Sequence, residues 1–233
     1  RINQREDYTS PLNTEAYSIT CEGIDSEVSK GWATGPHTEA EISRILETES
    51  WVPAKRFGIR QGEKTRQIDD FSRFYTNACT TITEQIYIDG VDNILAMGKL
   101  WLSLIKQARS NPHFKFQVHW EEGPPTTHIL HPEFRAGEIH LAGTCLDIEA
   151  AYKQCPVKPS ERKYTVFSIV NPKTGVTEFF IANVLPFGQT SAVHSFNRVA
   201  KAFNTLLHRY GQVSTTNFFD DFTLLAPAKV AQF

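Results

Sequence analysis

Two adjacent carboxylates, Asp220 and Asp221, sit between the short runs Thr216-Asn217-Phe218-Phe219 and Phe222-Thr223-Leu224-Leu225. These aromatic and β-branched flanks predict two strands of a hairpin, with the acidic pair at its tight turn. Crowding two aspartates together is costly unless cations compensate them. Carboxylates are hard oxygen donors suited to a divalent ion, and Mg²⁺ needs only one or two of them when substrate phosphates complete its shell. An Asp-Asp pair by itself is most often a solvated turn. A further aspartate gives this one more weight: Asp147 lies between Leu146 and Ile148, at the end of the largely apolar run 139–148.

Tyr152 follows Asp147 by five residues, within Asp147-Ile148-Glu149-Ala150-Ala151-Tyr152-Lys153-Gln154. Between the two acidic segments comes Leu185-Pro186-Phe187-Gly188-Gln189-Thr190-Ser191-Ala192, followed by Phe196-Asn197-Arg198. In order and spacing these three segments resemble motifs A, B and C of reverse transcriptases, closest to those of retrotransposons. Upstream, Lys64-Thr65-Arg66-Gln67-Ile68-Asp69-Asp70-Phe71-Ser72, with Asn77 beyond, resembles the fingers segment that precedes motif A. The similarity runs from about Arg56 to the end of the chain. Departures are Phe218 where tyrosine is commonest, Gln189 where leucine is frequent and Val193 where proline is frequent. None removes a carboxylate.

The resemblance implies an α+β fold: a right-hand polymerase palm, an antiparallel sheet with helices on one face, joined to fingers, with the thumb missing. It implies an acidic extension with one helix over 1–50, fingers over 51–143 and a palm core over 144–233. Asp147, Asp220 and Asp221 would be catalytic. Asp147, Asp220 and the Ile148 carbonyl would hold two Mg²⁺ ions, for which Mn²⁺ can substitute, and Asp221 would stay near them. Arg66, assisted by Arg60 or Lys64, would clamp a triphosphate, as guanidinium does by a bidentate fork. Tyr152 would be the gate that excludes a ribose 2′-hydroxyl, with a core tyrosine in a short helix as the plain alternative. Phe187, Gly188 and Gln189 would line the pocket under the templating pair. The implied partners are an RNA template, a DNA primer and deoxynucleoside triphosphates. The thumb and ribonuclease H portions would lie beyond Phe233, so the chain reads as a fragment of a mobile-element polyprotein. Two other classes stay open: an RNA-dependent RNA polymerase relative, and an inactive nucleic-acid-binding remnant.

Composition limits these readings. With 233 residues, 40% apolar and 12% aromatic, the chain can bury a sizeable core in one or two domains. No run approaches the eighteen apolar residues of a membrane span, and no leader pattern opens the chain. The four cysteines lack Cys-x-x-Cys spacing and read as reduced thiols, which suggests an intracellular setting. His113, His119, His128, His131 and His140 have no paired cysteines to complete a zinc pattern, and read as loop histidines. The net charge of −2 conceals an asymmetry. Residues 6–50 carry ten acids and two bases, whereas 51–75 carry six bases and three acids. Those bases are Lys55, Arg56, Arg60, Lys64, Arg66 and Arg73, interleaved with Trp51, Phe57 and Phe71. Such a cluster suits phosphate contacts and base stacking.

The elements that must position these residues are mostly legible. Residues 1–37 lack periodicity and read as an irregular extension. Thr38 and Glu41 form a capping box opening a helix with Ile42, Ile45 and Leu46 on one face. Residues 55–70 predict two strands around Gln61-Gly62-Glu63. Asp92 caps a helix to about Arg109, with Ile94, Met97, Trp101, Leu104, Ile105 and Ala108 at helical spacing. Phe114–Trp120 predicts a strand, and Gly123–Pro132 a loop. Tyr164–Val170 and Val176–Val184 predict a hairpin around Asn171–Gly175. Thr190–Tyr210 predicts a helix stopped by Gly211 as its C-cap.

Overall fold

The computed structural model describes residues 11–228 except 63, 74, 121, 139 and 172, with the backbone alone at 11–17, 60, 61, 64 and 65. In chain order its first elements are α1 (Pro11–Ser29), β1 (Ala33–His37), α2 (Glu39–Leu46), β2 (Ala54–Gln61), β3 (Lys64–Asp70) and α3 (Val91–Ser110). Then come β4 (Lys115–Val118), β5 (Thr126–Ile129), α4 (Pro132–Arg135), β6 (Leu141–Asp147), and two 3₁₀ turns at Ala151–Gln154 and Pro159–Tyr164. The last are β7 (Val166–Val170), β8 (Thr177–Ala182), α5 (Thr190–Arg209), β9 (Thr215–Phe218) and β10 (Asp221–Pro227). These form two compact units that interleave along the chain. One holds the residues up to Gln85 with Ala150–Phe196, and the other holds Ile86–Glu149 with the residues from Asn197 on.

The first unit is built on a five-stranded mixed sheet in the order β1-β8-β7-β2-β3, in which β2 and β7 run parallel. Its central strand β7 is buried at every position because helices cover both faces. Period-two alternation assigns the faces. Phe167, Ile169, Phe180 and Ala182 pack with Ile24 of α1, while Val166 and Ile181 pack with Ile42 of α2. The capping box that opens α2 forms as the sequence predicts: Glu41 N donates to Thr38 Oγ1, and Thr38 N donates to Glu41 Oε2 at 2.8 Å.

A fully buried cation crosses this unit. Arg56 on β2 lies opposite Asp69 on β3, and its Nε and Nη2 donate to that carboxylate at 2.7 and 2.9 Å. Nη1 donates to Glu27 of α1 at 2.6 Å, and the guanidinium lies 3.6 Å from the centroid of the Phe167 ring. Burial alone would disfavour the charge, but Asp69 and then Glu27 outweigh it, so Arg56 is held protonated beyond its ordinary range. The other oxygen of Glu27 pairs with Lys153 at 2.7 Å.

The second unit has a three-stranded antiparallel sheet, β6-β10-β9, against which α3 packs, and a small hairpin, β4-β5. Ile105 and Ala108 of α3 bury with Leu130, surrounded by Trp101, Phe114, Phe116 and Phe134. The periodic stripe read from the sequence is therefore the packing face of α3.

Several sequence expectations require correction. Residues 11–37 are not irregular: α1 is a nineteen-residue helix, and β1 pairs with β8. Helix α1 carries few strongly apolar residues, so its periodicity is faint. Helix α3 starts after Gly90, whose N–H donates to Asn93 Oδ1 at 3.0 Å, and Asp92 lies in the first turn. Within 123–132 the chain forms β5 rather than a loop. Ile45 is exposed. After α5 the left-handed residue is Gln212 (φ 51°), not Gly211, which is needed because a Cβ there would meet Leu207 O at 2.8 Å. Arg56 is ion-paired and Phe71 fully buried, so neither is available to a phosphate or a base. The clustered charge of 51–75 was in part internal structure.

Removing Arg56 strands two buried carboxylates. Arg56→Met should cost about 3–5 kcal/mol in urea unfolding at neutral pH. Burial pushes the Glu27 carboxyl up, yet Arg56 and Lys153 together hold it below its ordinary 4.5. Its stabilisation is thus complete above about pH 4.5 and is lost as pH falls through the depressed value. The wild-type loss of stability on acidification should shrink in Arg56→Met.

Candidate active site

Strands β6 and β10 pair over seven positions, from Leu141↔Pro227 to Asp147↔Asp221. Directly opposed residues of antiparallel strands share a face, so Asp147 and Asp221 project side by side. Asp220 is the second residue of the Phe219-Asp220 turn that joins β9 to β10, and its carbonyl accepts from Ile148 N at 3.3 Å. The sequence placed both aspartates at the turn; Asp221 is instead the first residue of the strand.

The turn is fixed from below. Phe219 adopts a left-handed conformation (φ 52°), which a phenylalanine holds only if its neighbours impose it. Asn217, fully buried, donates from Nδ2 to Phe219 O at 3.3 Å. Asn217 is itself held by Asp89: Asn217 N donates to Asp89 Oδ2 at 3.0 Å, and Asp89 N donates to Asn217 O at 3.2 Å. Lys201 Nζ neutralises Asp89 at 3.4 Å. Neither Asn217 nor Asp89 was singled out from the sequence. The available signal was one amide in a short strand that is otherwise two threonines and a phenylalanine.

Among the described residues, no lysine, arginine or histidine pairs with Asp147, Asp220 or Asp221. Burial raises the Asp220 carboxyl above its ordinary 3.8. A hydrogen bond from its own backbone N–H opposes the rise, and repulsion by Asp221 and then Asp147 adds to it. Among the described residues no three acidic, histidine or cysteine groups form a ready cation cage. The donor set nonetheless fits Mg²⁺, because that ion binds through one or two carboxylates and completes its shell with water and phosphate.

The remaining candidates belong to the first unit. Arg66 lies on β3 opposite Ile59 with its side chain exposed. Arg60 and Lys64 lie at the ends of β2 and β3, where only the backbone is described. Tyr152 stands in the 3₁₀ turn Ala151–Gln154, which opens after a left-handed Ala150 (φ 52°). Its ring is buried, with the centroids of Phe187 and Phe196 each 4.8 Å away. Phe187 is half exposed, whereas Gln189 is buried and its Nε2 donates to Tyr164 O at 3.4 Å. Gly188 has φ 91°, and a Cβ on it would meet Asp69 O at 2.4 Å. Asn77 clasps this loop, donating from Nδ2 to Gly188 O at 2.9 Å and accepting at Oδ1 from Thr190 N at 2.8 Å.

A family model described as "Reverse transcriptase (RNA-dependent DNA polymerase)" matches residues 100–231, more than half of the chain. The match includes Asp147, Tyr152, Phe187–Gln189, Asp220 and Asp221; Arg66 precedes it. No curated protein matches the chain.

Burial and the neighbouring carboxylates both disfavour the Asp220 charge. Because the Asp220 pKa is raised, its ionisation costs the folded state more than the unfolded chain, and the penalty is complete at neutral pH. Asp220→Asn should therefore raise Tm at pH 7 by roughly 1–3 °C, a small effect because water screens the partly exposed group. Mg²⁺ should stabilise the wild type more than the variant. A lower Tm for the variant would refute the repulsion.

Proposed function

The chain belongs to the reverse transcriptase family, and on that premise we propose that it extends a DNA primer along an RNA template with deoxynucleoside triphosphates. The observation that carries this reading is the β6–β10 register, which sets Asp147 beside Asp221 with Asp220 in the adjoining turn. The palm core is proposed over 144–233, which carries the three motif-like segments, and the fingers over 51–143. A mobile-element origin fits the retrotransposon-like motifs.

Asp147, Asp220 and the Ile148 carbonyl would hold two Mg²⁺ or Mn²⁺ ions, with Asp221 close by. Such ions, when bound, neutralise the triphosphate and lower the pKa of the attacking hydroxyl. The primer 3′-hydroxyl loses its proton to water, its oxygen bonds the α-phosphorus, and the bond from that phosphorus to the departing pyrophosphate breaks. Arg66 binds the triphosphate oxygens, with Arg60 or Lys64 assisting. Tyr152 bars the ribose 2′-hydroxyl. Phe187 and Gly188 form the floor under the templating pair, with the buried Gln189 behind them, and the missing Cβ of Gly188 lets this loop lie against Asp69 O.

Primer extension on an RNA template tests the assignment. Asp147→Asn should slow incorporation about a thousandfold or more, since several kcal/mol of charge stabilisation is lost, while primer–template affinity holds. Retention of activity would sink the metal-ligand role.

Arg66→Ala should raise the nucleotide KM and slow incorporation, with duplex affinity nearly unchanged. An equal loss of duplex binding without nucleotide would reassign Arg66 to the nucleic-acid backbone.

A further inference from the structure

Lys153 is the immediate neighbour of Tyr152 in the 3₁₀ turn Ala151–Gln154, and it is buried although charged. A buried ammonium needs a fixed partner. That partner is Glu27, 126 positions earlier in the sequence: Lys153 Nζ lies 2.7 Å from Glu27 Oε1, with both side chains nearly covered. The second oxygen of Glu27 is held at 2.6 Å by Arg56, which Asp69 fixes in turn. Each carboxylate oxygen of Glu27 therefore has its own cation, and its position is set from two sides. The chain of charges runs from β3 through β2 and α1 to the turn that carries Tyr152.

The same residues line a cavity of about 290 Å³ together with Gly23, Gln67 and Phe187. Phe187 and Phe196 both pack on the Tyr152 ring, the first tilted and the second stacked. Lys153 borders this cavity, and its ammonium is anchored there by the Glu27 carboxylate. The ion pair thus adds to the backbone bonds and aromatic packing that hold the turn. A steric gate discriminates only as well as its wall is rigid, so a contact that fixes the neighbouring Lys153 bears on how firmly Tyr152 is held.

We propose that Glu27 of α1 is a positioning residue for sugar selection: through Lys153 it fixes the turn that carries Tyr152, and it touches neither nucleotide nor metal. This rests on the reading of Tyr152 as the gate. The segment up to Ser29, which resembles nothing in the polymerase motifs, would then tune specificity rather than extend the chain.

The test measures the ratio of ribonucleotide to deoxynucleotide kcat/KM in primer extension for wild type, Glu27→Gln, Glu27→Asp, Lys153→Met, the double variant Glu27→Gln/Lys153→Met, and Tyr152→Ala. Glu27→Gln and Lys153→Met should each raise the ratio about tenfold, the double variant should raise it no further, and Glu27→Asp should restore most of the discrimination. A loss shared equally by both sugars, or additive singles, would overturn the proposal. If Tyr152→Ala relaxes selectivity and Glu27→Gln does not, the proposal alone fails. If Tyr152→Ala leaves selectivity intact, the gate reading fails and takes the proposal with it. A second measurement needs no turnover. With 3-fluorotyrosine incorporated and the Tyr152 ¹⁹F resonance assigned by Tyr152→Phe, Glu27→Gln should split or shift that signal and Glu27→Asp should return it. An unmoved resonance in a folded Glu27→Gln protein overturns the proposal.

Discussion

The antiparallel register of β6 and β10 is the constraint on which the candidate chemistry depends. Side chains alternate faces with period two, so a slip of one residue would send Asp147 and Asp221 to opposite faces. Like charges directly opposite each other cost a few tenths to about 1 kcal/mol, so this pairing does not form because of the aspartates. It forms in spite of them, through the pairing from Leu141↔Pro227 to Leu146↔Phe222, with Phe222 and Leu224 buried beneath. The apolar part of each strand sets the register, and the acidic ends are carried to it.

A different constraint organises the first unit. Arg56 is fully buried, so its charge must be matched locally, and Asp69 and Glu27 do so from a neighbouring strand and from α1. Lys153 balances the second carboxylate, so the four groups sum to zero. Networks of this kind are weak evidence for stability, because an apolar quartet of similar volume can do as well. What the charges add is direction. They accept only one placement of α1 against β2, and only one placement of the Lys153 turn against α1.

The sequence made the second unit's acidic hairpin legible because the signal was local: alternating apolar flanks around an acidic pair. Helix α3 was legible for the same reason, through the recurrence of Ile94, Met97, Trp101, Ile105 and Ala108. The first unit hid its key contacts. Helix α1 buries Ile24 but presents a diluted, acidic surface pattern, so its periodicity is faint and Glu27 looks like one acid among ten. The bases of 51–75 misled in the opposite direction. Net composition cannot tell Arg56, matched inside the fold, from Arg66, which faces solvent. Strand β5 was missed because Pro124, Pro125 and His128 read as loop chemistry, although the β4 pairing begins just after the prolines, at Thr126.

Backbone strain links these levels. Three candidate segments each turn on a left-handed residue: Ala150 before Tyr152, Gly188 after Phe187, and Phe219 before Asp220. Only one of the three is glycine, so the alanine and the phenylalanine each carry about 1–2 kcal/mol of conformational cost. Such conformations persist only where the surroundings over-determine them, and each has its clamp. Asn217 holds Phe219, Asn77 holds Gly188 and Thr190, and Lys153 N donates to Ala150 O at 2.7 Å. The clamps are polar and specific, so they fix direction where apolar packing would fix only proximity. At Ala150 the clamping residue, Lys153, is itself held through its side chain by Glu27, so α1 reaches this strained turn through a buried charge. The turn's own backbone bonds and the packing of Tyr152 on Phe187 and Phe196 remain when the Glu27–Lys153 pair is removed, so losing the pair should loosen one edge of the turn without unfolding the sheet.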